Sequence, residues 1–261
     1  MRETFGDGHP RLASAMSDVG NALVRASRFD EALTATQAAL AAGEQAFGPA
    51  HPEVGNMHGR VAMAWVRQGD YDRAAASSQR AVEILTAAHG PTHPNVAAAM
   101  ITLGQVEQRR GRLAEAEAAF RSAQPALAGS INEAIVLTAL CDLAREQGDD
   151  AAALVHARRS RELREGLLGP DDPSVALGWL AEGLALSRVD RHEEAFAALA
   201  RARSIDAGKP LPPLYRAIMD AYEGRAHLRA GHPEEALPRL ERALTQQEQL
   251  GAEPIDRADV R

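Results

Sequence analysis

The sequence predicts an all-α fold, a right-handed α-solenoid of about six helix-turn-helix pairs. His9-Pro10, His51-Pro52 and His93-Pro94 recur at a spacing of 42 residues, and a period of about 20 to 50 residues is typical of repeat architectures. Aromatic residues make up only 4% of the chain, which favours closely packed helices over a sheet. Because each solenoid repeat contacts only its neighbours, residues 1–261 are expected to form a single superhelix.

An alanine anchors the second helix of each pair, and successive anchors lie 42, 42, 37, 42 and 41 residues apart. The anchors are Ala32, Ala74, Ala116, Ala153, Ala195 and Ala236. A small residue stands twelve positions before each anchor, where we expect it to let the two helices approach closely. These residues are Gly20, Ala62, Gly104, Cys141, Gly183 and Gly224. Cys141, the only cysteine, is therefore interpreted as a buried small residue.

Helical apolar spacing between these markers places the elements. The first helices are expected near residues 10–26, 52–68, 94–110, 131–147, 173–189 and 212–230, and the second near 29–46, 71–88, 113–127, 150–167, 192–206 and 233–249. The corresponding repeats are 10–51, 52–93, 94–130, 131–172, 173–211 and 212–250, with 251–261 opening a further repeat.

Turn signals separate the helices. Within pairs, Gly69-Asp70 and Gly148-Asp149 combine a left-handed C-cap with a cap for the next helix. Between pairs, a Gly-Pro segment closes with a proline that opens the next helix, in residues 47–52, 89–94 and 168–173. The shortened loop before the fourth pair and the proline-rich loop 209–213 could bend the superhelix or reflect sequence drift.

The repeats resemble tetratricopeptide repeats of the 42-residue kinesin-light-chain type. The third repeat matches best, with Leu103-Gly104 followed by Ala116, Phe120 and Ala123; the second offers Trp65 and the fifth Trp179. The resemblance implies that the first helices line a concave groove that binds other proteins. Alanine- and arginine-rich arrays of this kind are similar to the C-terminal halves of bacterial serine/threonine protein kinases, although this chain has no kinase motif.

Residues 2–6 look like the tail of a second helix, and residues 251–256 look like an inter-repeat loop. We therefore expect the chain to be a segment of a longer array, with uncapped ends that could self-associate.

Composition excludes several classes of function. The net charge of −7 and the lack of a basic tail argue against nucleic acid as a partner. The sequence has no run of 18 apolar residues, so we expect no membrane-spanning helix. The first residues lack an apolar segment, so they are not expected to act as a signal peptide. A single cysteine fits the cytoplasm.

No catalytic constellation stands out, and we expect no enzyme activity, cofactor or metal. His192-Glu193-Glu194 lacks the second histidine of a helical zinc motif. His9, His51 and His93 share a register but lie in different repeats, too far apart to hold one ion. They are interpreted as loop-capping residues.

A column of arginines gives a candidate peptide-binding groove. Seven residues before the anchors stand Arg25, Arg67, Arg109, Glu146, Arg188 and Arg229. Arg60 and Arg225 could extend this column, and Asn21 and Gln105 complete the candidate set. Because arginine binds carboxylate and phosphate through two nitrogens, the hypothesis is an acidic or phosphorylated peptide. The alternative is that the helix dipole favours arginine near the C-terminal ends of these helices. Arginine is also the common cation of a chain that has only one lysine, Lys209.

The carboxylate clamp of chaperone-binding relatives needs lysines where this chain has Ser17, Gly59 and Ile101, so that function is not expected. The sequence favours a non-catalytic interaction scaffold, as a docking or regulatory segment of a larger signalling protein. A structural spacer or self-association module and a free-standing adaptor are the alternatives.

Overall fold

The computed structural model describes residues 10–250, and all regular secondary structure within this range is helical. The first six helices are α1 (Pro10–Arg25), α2 (Phe29–Phe47), α3 (Pro52–Gln68), α4 (Tyr71–His89), α5 (Pro94–Arg109) and α6 (Leu113–Ala123). The next six are α7 (Ile131–Gln147), α8 (Asp150–Leu168), α9 (Pro173–Arg188), α10 (His192–Gly208), α11 (Pro213–Arg229) and α12 (Pro233–Leu250). The predicted all-α class with six helix pairs is confirmed.

The chain forms two compact units, unit 1 (Met1–Ala128) and unit 2 (Gly129–Arg261). In each unit, three helix pairs follow one another, and every helix contacts the next helix along the chain. First helices also contact the first helix of the neighbouring pair, as α3 does with α1 and α5, and as α9 does with α11. Each unit therefore has the architecture of an α-solenoid.

One predicted helix ends early. The segment 113–127 was expected to be continuous, but α6 ends at Ala123 and a 3₁₀ turn covers Gln124–Leu127. Pro125 lies in this turn. Since proline has no backbone N–H and its ring clashes with the preceding helical turn, it disfavours continuation of the α-helix.

The turns within pairs follow the predicted chemistry. Gly69 and Gly148 adopt left-handed conformations, with φ of 79° and 77°. Asp70 then accepts a hydrogen bond from the backbone N–H of Arg73, and Asp149 accepts one from that of Ala152. Each turn thus ends one helix and caps the next.

The predicted close approach within pairs is confirmed at the glycine positions. A Cβ atom added to Gly104 would lie 2.7 Å from Cε1 of Phe120, and one added to Gly183 would lie 2.8 Å from Cγ of Leu199. Both facing residues stand sixteen positions after the glycine. Cys141, at the equivalent position of its pair, is buried as predicted.

Neighbouring pairs meet through different chemistry in the two units. In unit 1, Val82 of α4 belongs to a buried apolar cluster against which Leu103 of α5 packs. At the equivalent positions in unit 2, Arg161 bonds Glu182, and Arg203 bonds Glu223 with 2.6 Å between Nε and Oε1. Glu182 is only 4% exposed, so this junction holds a buried ion pair where unit 1 has apolar side chains.

The packing at Gly104 predicts the effect of adding one methyl group. We expect Gly104→Ala to lower the free energy of unfolding by about 1–2 kcal/mol, because overpacking against Phe120 outweighs the gain in helix propensity. Gly59→Ala is the matched control: nothing lies within 4 Å of its added Cβ, so it should raise stability by about 0.5–1 kcal/mol. Urea unfolding curves measure both, and equal stabilisation of the two variants would contradict the close contact.

Candidate functional site

Unit 1 has an open cavity of about 350 Å³ on the face formed by its first helices, called here the unit 1 cavity. It is bounded by α1, α3, α4 and α5. The lining residues are Asn21, Gly55, Asn56, Gly59, Arg60, Met63, Ala81, Leu85, Asn95, Ala98, Ala99 and Thr102. Of the residues predicted from sequence, Asn21 and Arg60 line this cavity.

Small residues keep the floor of the unit 1 cavity open. The space next to Gly55 is already occupied by Leu85, since an added Cβ would lie 2.9 Å from Cγ of Leu85. One helical turn later, Gly59 has no neighbouring atom within 4 Å of an added Cβ. Any side chain at position 59 would therefore occupy the space that the cavity offers.

The walls carry amide side chains and an adaptable apolar group. Asn21, Asn56 and Asn95 come from three different first helices. Each amide can both donate and accept hydrogen bonds, which suits the backbone of an extended chain. Met63 is 37% exposed, and its flexible thioether can pack against varied side chains.

Arg60 is the cation that lies in the unit 1 cavity. Its Nη1 donates a hydrogen bond to Oγ of Ser17 and lies 3.8 Å from Oδ1 of Asp18. The side chain is 38% exposed, so it is anchored to α1 while part of it remains open to solvent.

Three further arginines of unit 1 that were predicted as binding residues do not line the unit 1 cavity. Arg25, Arg67 and Arg109 are exposed and form no ion pair within residues 10–250. Arg67 follows Arg60 by seven residues, or two helical turns, and so lies on the same face of α3. Arg109 borders a separate shallow depression of about 440 Å³ at the turn between α3 and α4. Gln105 is exposed on α5.

The arginines of unit 2 are placed differently. Arg188 bonds Asp150 of α8, so its guanidinium has a partner that the arginine column did not anticipate. Unit 1 has an ion pair with the same 38-residue separation, shifted by one position along the repeat, where Arg110 bonds Asp72 at 2.7 Å. Arg225 is half-buried and Arg229 is exposed in the last turn of α11.

Sequence reasoning missed Asn56, Asn95 and Thr102 as lining residues. A signal existed for two of them. Asn56 stands one turn before Arg60 on α3, and Thr102 occupies the position equivalent to Arg60 in the next repeat. The candidate set was built on the arginine column and added only two neutral residues, Asn21 and Gln105, so these neutral side chains on the same face were left out.

The in-register histidines cap helices. Nδ1 of His51 accepts a hydrogen bond from the backbone N–H of Glu53 at 3.2 Å, and Nδ1 of His93 accepts one from that of Asn95 at 3.1 Å. The rings stack on Phe47 and His89. The capping interpretation is confirmed for both, while His9 lies outside the described residues. Across residues 10–250, no three His, Cys, Asp or Glu side chains are grouped to hold a metal ion.

Cys141 is unsuited to nucleophilic chemistry. Burial raises the pKa of its thiol to about 12, so the reactive thiolate is scarce at neutral pH.

None of the helices in the described part of the chain combines the length and apolar character needed to cross a membrane.

Sequence profiles described as tetratricopeptide repeat match residues 11–84 and 53–127, and a second such profile matches residues 137–174. These matches together cover more than half of the chain. No curated protein sequence matches it.

Solved structures resemble the fold at low sequence identity. The nearly identical TPR-like repeats of a kinesin light chain-type protein from Podospora anserina align with a TM-score of 0.69 and 17% identity, covering 78% of this chain and 99% of that one. BtubC (BKLC) from P. vanneervenii aligns at 0.65 and 16%, covering 95% and 94%. PilF of Pseudomonas aeruginosa aligns at 0.62 and 16%, covering 92% and 96%. At such identities the likeness concerns the fold alone.

The capping role of His51 gives a test of its own. His51→Ala should lower the free energy of unfolding by about 1 kcal/mol, because the N–H of Glu53 loses its acceptor. His51→Asp should recover most of this loss, since Asp172 caps α9 in the same way, with 2.8 Å to the N–H of Ser174. Equal destabilisation by both variants in denaturant titrations would argue against a capping role.

Proposed function

Because this chain belongs to the tetratricopeptide repeat family, we propose that it is a non-catalytic protein–protein interaction scaffold that binds an extended peptide in the unit 1 cavity. The open floor at Gly59, flanked by asparagine amides, is the observation that carries this proposal. Repeat arrays present such surfaces to partner chains.

Extended peptides carry unpaired backbone N–H and C=O groups, which need partners when a peptide leaves water. Asn21, Asn56 and Asn95 can supply both kinds of partner. The space above Gly59 then accommodates a ligand side chain. Specificity for particular side chains comes from Met63 and from the nearby cations.

An acidic or phosphorylated peptide is the ligand class that these cations favour. Arg25, Arg67 and Arg109 have no internal carboxylate partner among the described residues, and Arg60 is only partly engaged. Since arginine pairs with carboxylate and phosphate through two nitrogens, these residues would favour an anionic partner although the chain is acidic as a whole. Arg188, Arg225 and Arg229 of unit 2 remain part of the proposed set of peptide-binding residues.

Self-association is a second candidate function. Leu237 and Leu244 of α12 are 58% and 56% exposed, and they occupy positions that pack on the next repeat elsewhere in the chain. Val19 of α1 is 53% exposed. It occupies the same position in its repeat as Leu103, which packs against the cluster that contains Val82. The apolar groups of two copies could therefore meet end to end, as neighbouring repeats do in unit 1.

The context of the array also remains a proposal. The Gly-Pro-x-His-Pro loops and the alanine- and arginine-rich composition support a docking or regulatory segment of a bacterial signalling protein in the cytoplasm, such as a serine/threonine kinase. Reading the gene beyond both ends separates this from a free-standing adaptor. A kinase domain would support the first, and start and stop codons at the ends would support the second.

Peptides selected from a random library that includes acidic and phosphorylated members test the cavity. We expect Gly59→Leu to abolish binding, because the side chain would fill the floor of the cavity, where an added Cβ meets no atom within 4 Å. The double charge reversal Arg67→Glu with Arg109→Glu should weaken an acidic peptide about tenfold at low salt, or about 1.4 kcal/mol. Fluorescence anisotropy measures both.

Arg159→Glu is the matched control for this experiment, since Arg159 is exposed on α8 of unit 2. Unchanged affinity and salt dependence in the double reversal would reject the cationic part of the proposal. Unchanged binding by Gly59→Leu would reject the cavity itself.

Light scattering across a range of concentrations tests self-association. Leu244→Glu should abolish any concentration-dependent growth in mass, because a carboxylate would have to be buried at the junction. Val155→Glu, at a residue 66% exposed on α8, should have no effect. A constant monomer mass for the unmodified chain would refute this candidate.

A further inference from the structure

Unit 2 contains a buried arginine without an acidic partner. Arg145 and Arg164 are the arginines with less than a tenth of their surface exposed among the described residues, at 8% and 9%. Arg145 forms an ion pair with Asp142 at 2.9 Å. Arg164 has no carboxylate within 4.0 Å among residues 10–250, and its guanidinium bonds only to hydroxyl groups.

Those hydroxyls hold the guanidinium in a fixed position. Arg164 Nη2 donates to Oγ1 of Thr138 at 3.0 Å, and Nη1 donates to Oγ of Ser160. Both hydroxyls donate in turn to the carbonyl oxygen of Ala134, at 2.9 and 2.7 Å. Each terminal nitrogen of Arg164 therefore keeps a second hydrogen that these bonds do not use.

The register of the repeats places this network on the inner face of unit 2. Counted from the alanine anchors, Thr138 is equivalent to Gly59, Ser160 to Ala81 and Arg164 to Leu85. The three unit 1 residues all line the unit 1 cavity. Unit 2 thus has polar and charged groups where unit 1 has a small apolar floor.

A buried charge that bonds only to neutral groups is costly to maintain, since hydroxyls replace only part of its hydration. Burial lowers the pKa of Arg164, in keeping with this cost. A bound oxyanion would compensate the charge and could use two nitrogens of the fork at once. Ile135, 46% exposed, stands at the position equivalent to Asn56 and makes the surroundings more apolar, which strengthens such a pairing.

We propose that Arg164, Thr138 and Ser160 form an oxyanion-binding site on the inner face of the fourth repeat, which accepts the carboxylate or phosphoryl group of an acidic peptide. The site lies outside the unit 1 cavity and goes beyond the function proposed for it. Small ions alone can test it, so failure of peptide binding in unit 1 would leave the test unaffected.

The experiment uses the full chain, with inorganic phosphate and acetate as probes at constant ionic strength in sodium chloride. We expect saturable binding of at least one probe by calorimetry. At ten times the dissociation constant, the folding equilibrium constant should rise about elevenfold. Arg164→Leu, which introduces the residue found at position 85, should weaken binding at least tenfold. Phosphate alone as the ligand would identify a phosphoryl site, and acetate alone a carboxylate site.

Arg159→Gln is the matched control, since it removes an exposed arginine from the same helix and should bind the probe as the unmodified chain does. If circular dichroism shows that Arg164→Leu is unfolded, Arg164→Lys keeps the charge without the fork and should weaken binding about tenfold. The proposal is overturned if neither probe binds the unmodified chain, or if the folded Arg164 variant binds as tightly as Arg159→Gln.

Discussion

The rest of the structure depends on the close approach of the two helices within each pair. Gly104 faces Phe120 and Gly183 faces Leu199, so a residue without a side chain makes room for a bulky one sixteen positions later. Where the first position holds the slightly larger Ala62, the second holds the small Ser78. This fit between the two positions sets the distance between the two helices of a pair. The same helices carry the residues that line the unit 1 cavity.

Adjacent pairs are joined by a second contact whose chemistry changes along the chain. The apolar contact of Val82 with Leu103 tolerates small shifts, since dispersion and burial are not directional. In unit 2, Glu182 accepts bonds from Arg158 and Arg161, and Arg161 also stacks on the ring of Trp179 at 4.1 Å. Such bonds need a defined geometry, and removing one partner of a buried pair typically costs about 3–5 kcal/mol. The ionic junction therefore fixes its register more strictly than the apolar one.

The period and turn chemistry were sufficient to predict the pairs, most helix bounds to within about two residues, and the capping by His51. These features are local, or repeat at a fixed spacing. The 3₁₀ turn after Ala123 was missed because the prediction followed the apolar spacing and did not take Pro125 into account. The bond of Arg188 to Asp150 and the hydroxyl partners of Arg164 were missed for another reason. A repeat register says which positions are equivalent, but the partner of a long side chain depends on residues in the neighbouring helix.

The burial of Cys141 makes the chain well suited to site-specific labelling. With its thiol enclosed and its pKa raised to about 12, the only native cysteine should react slowly with maleimide or iodoacetamide reagents. A single cysteine introduced on the surface would then take up a fluorophore or spin label selectively in the otherwise unchanged chain. Probes at the rims of the inner faces could report ligand entry and local motion without first removing a native side chain from the core.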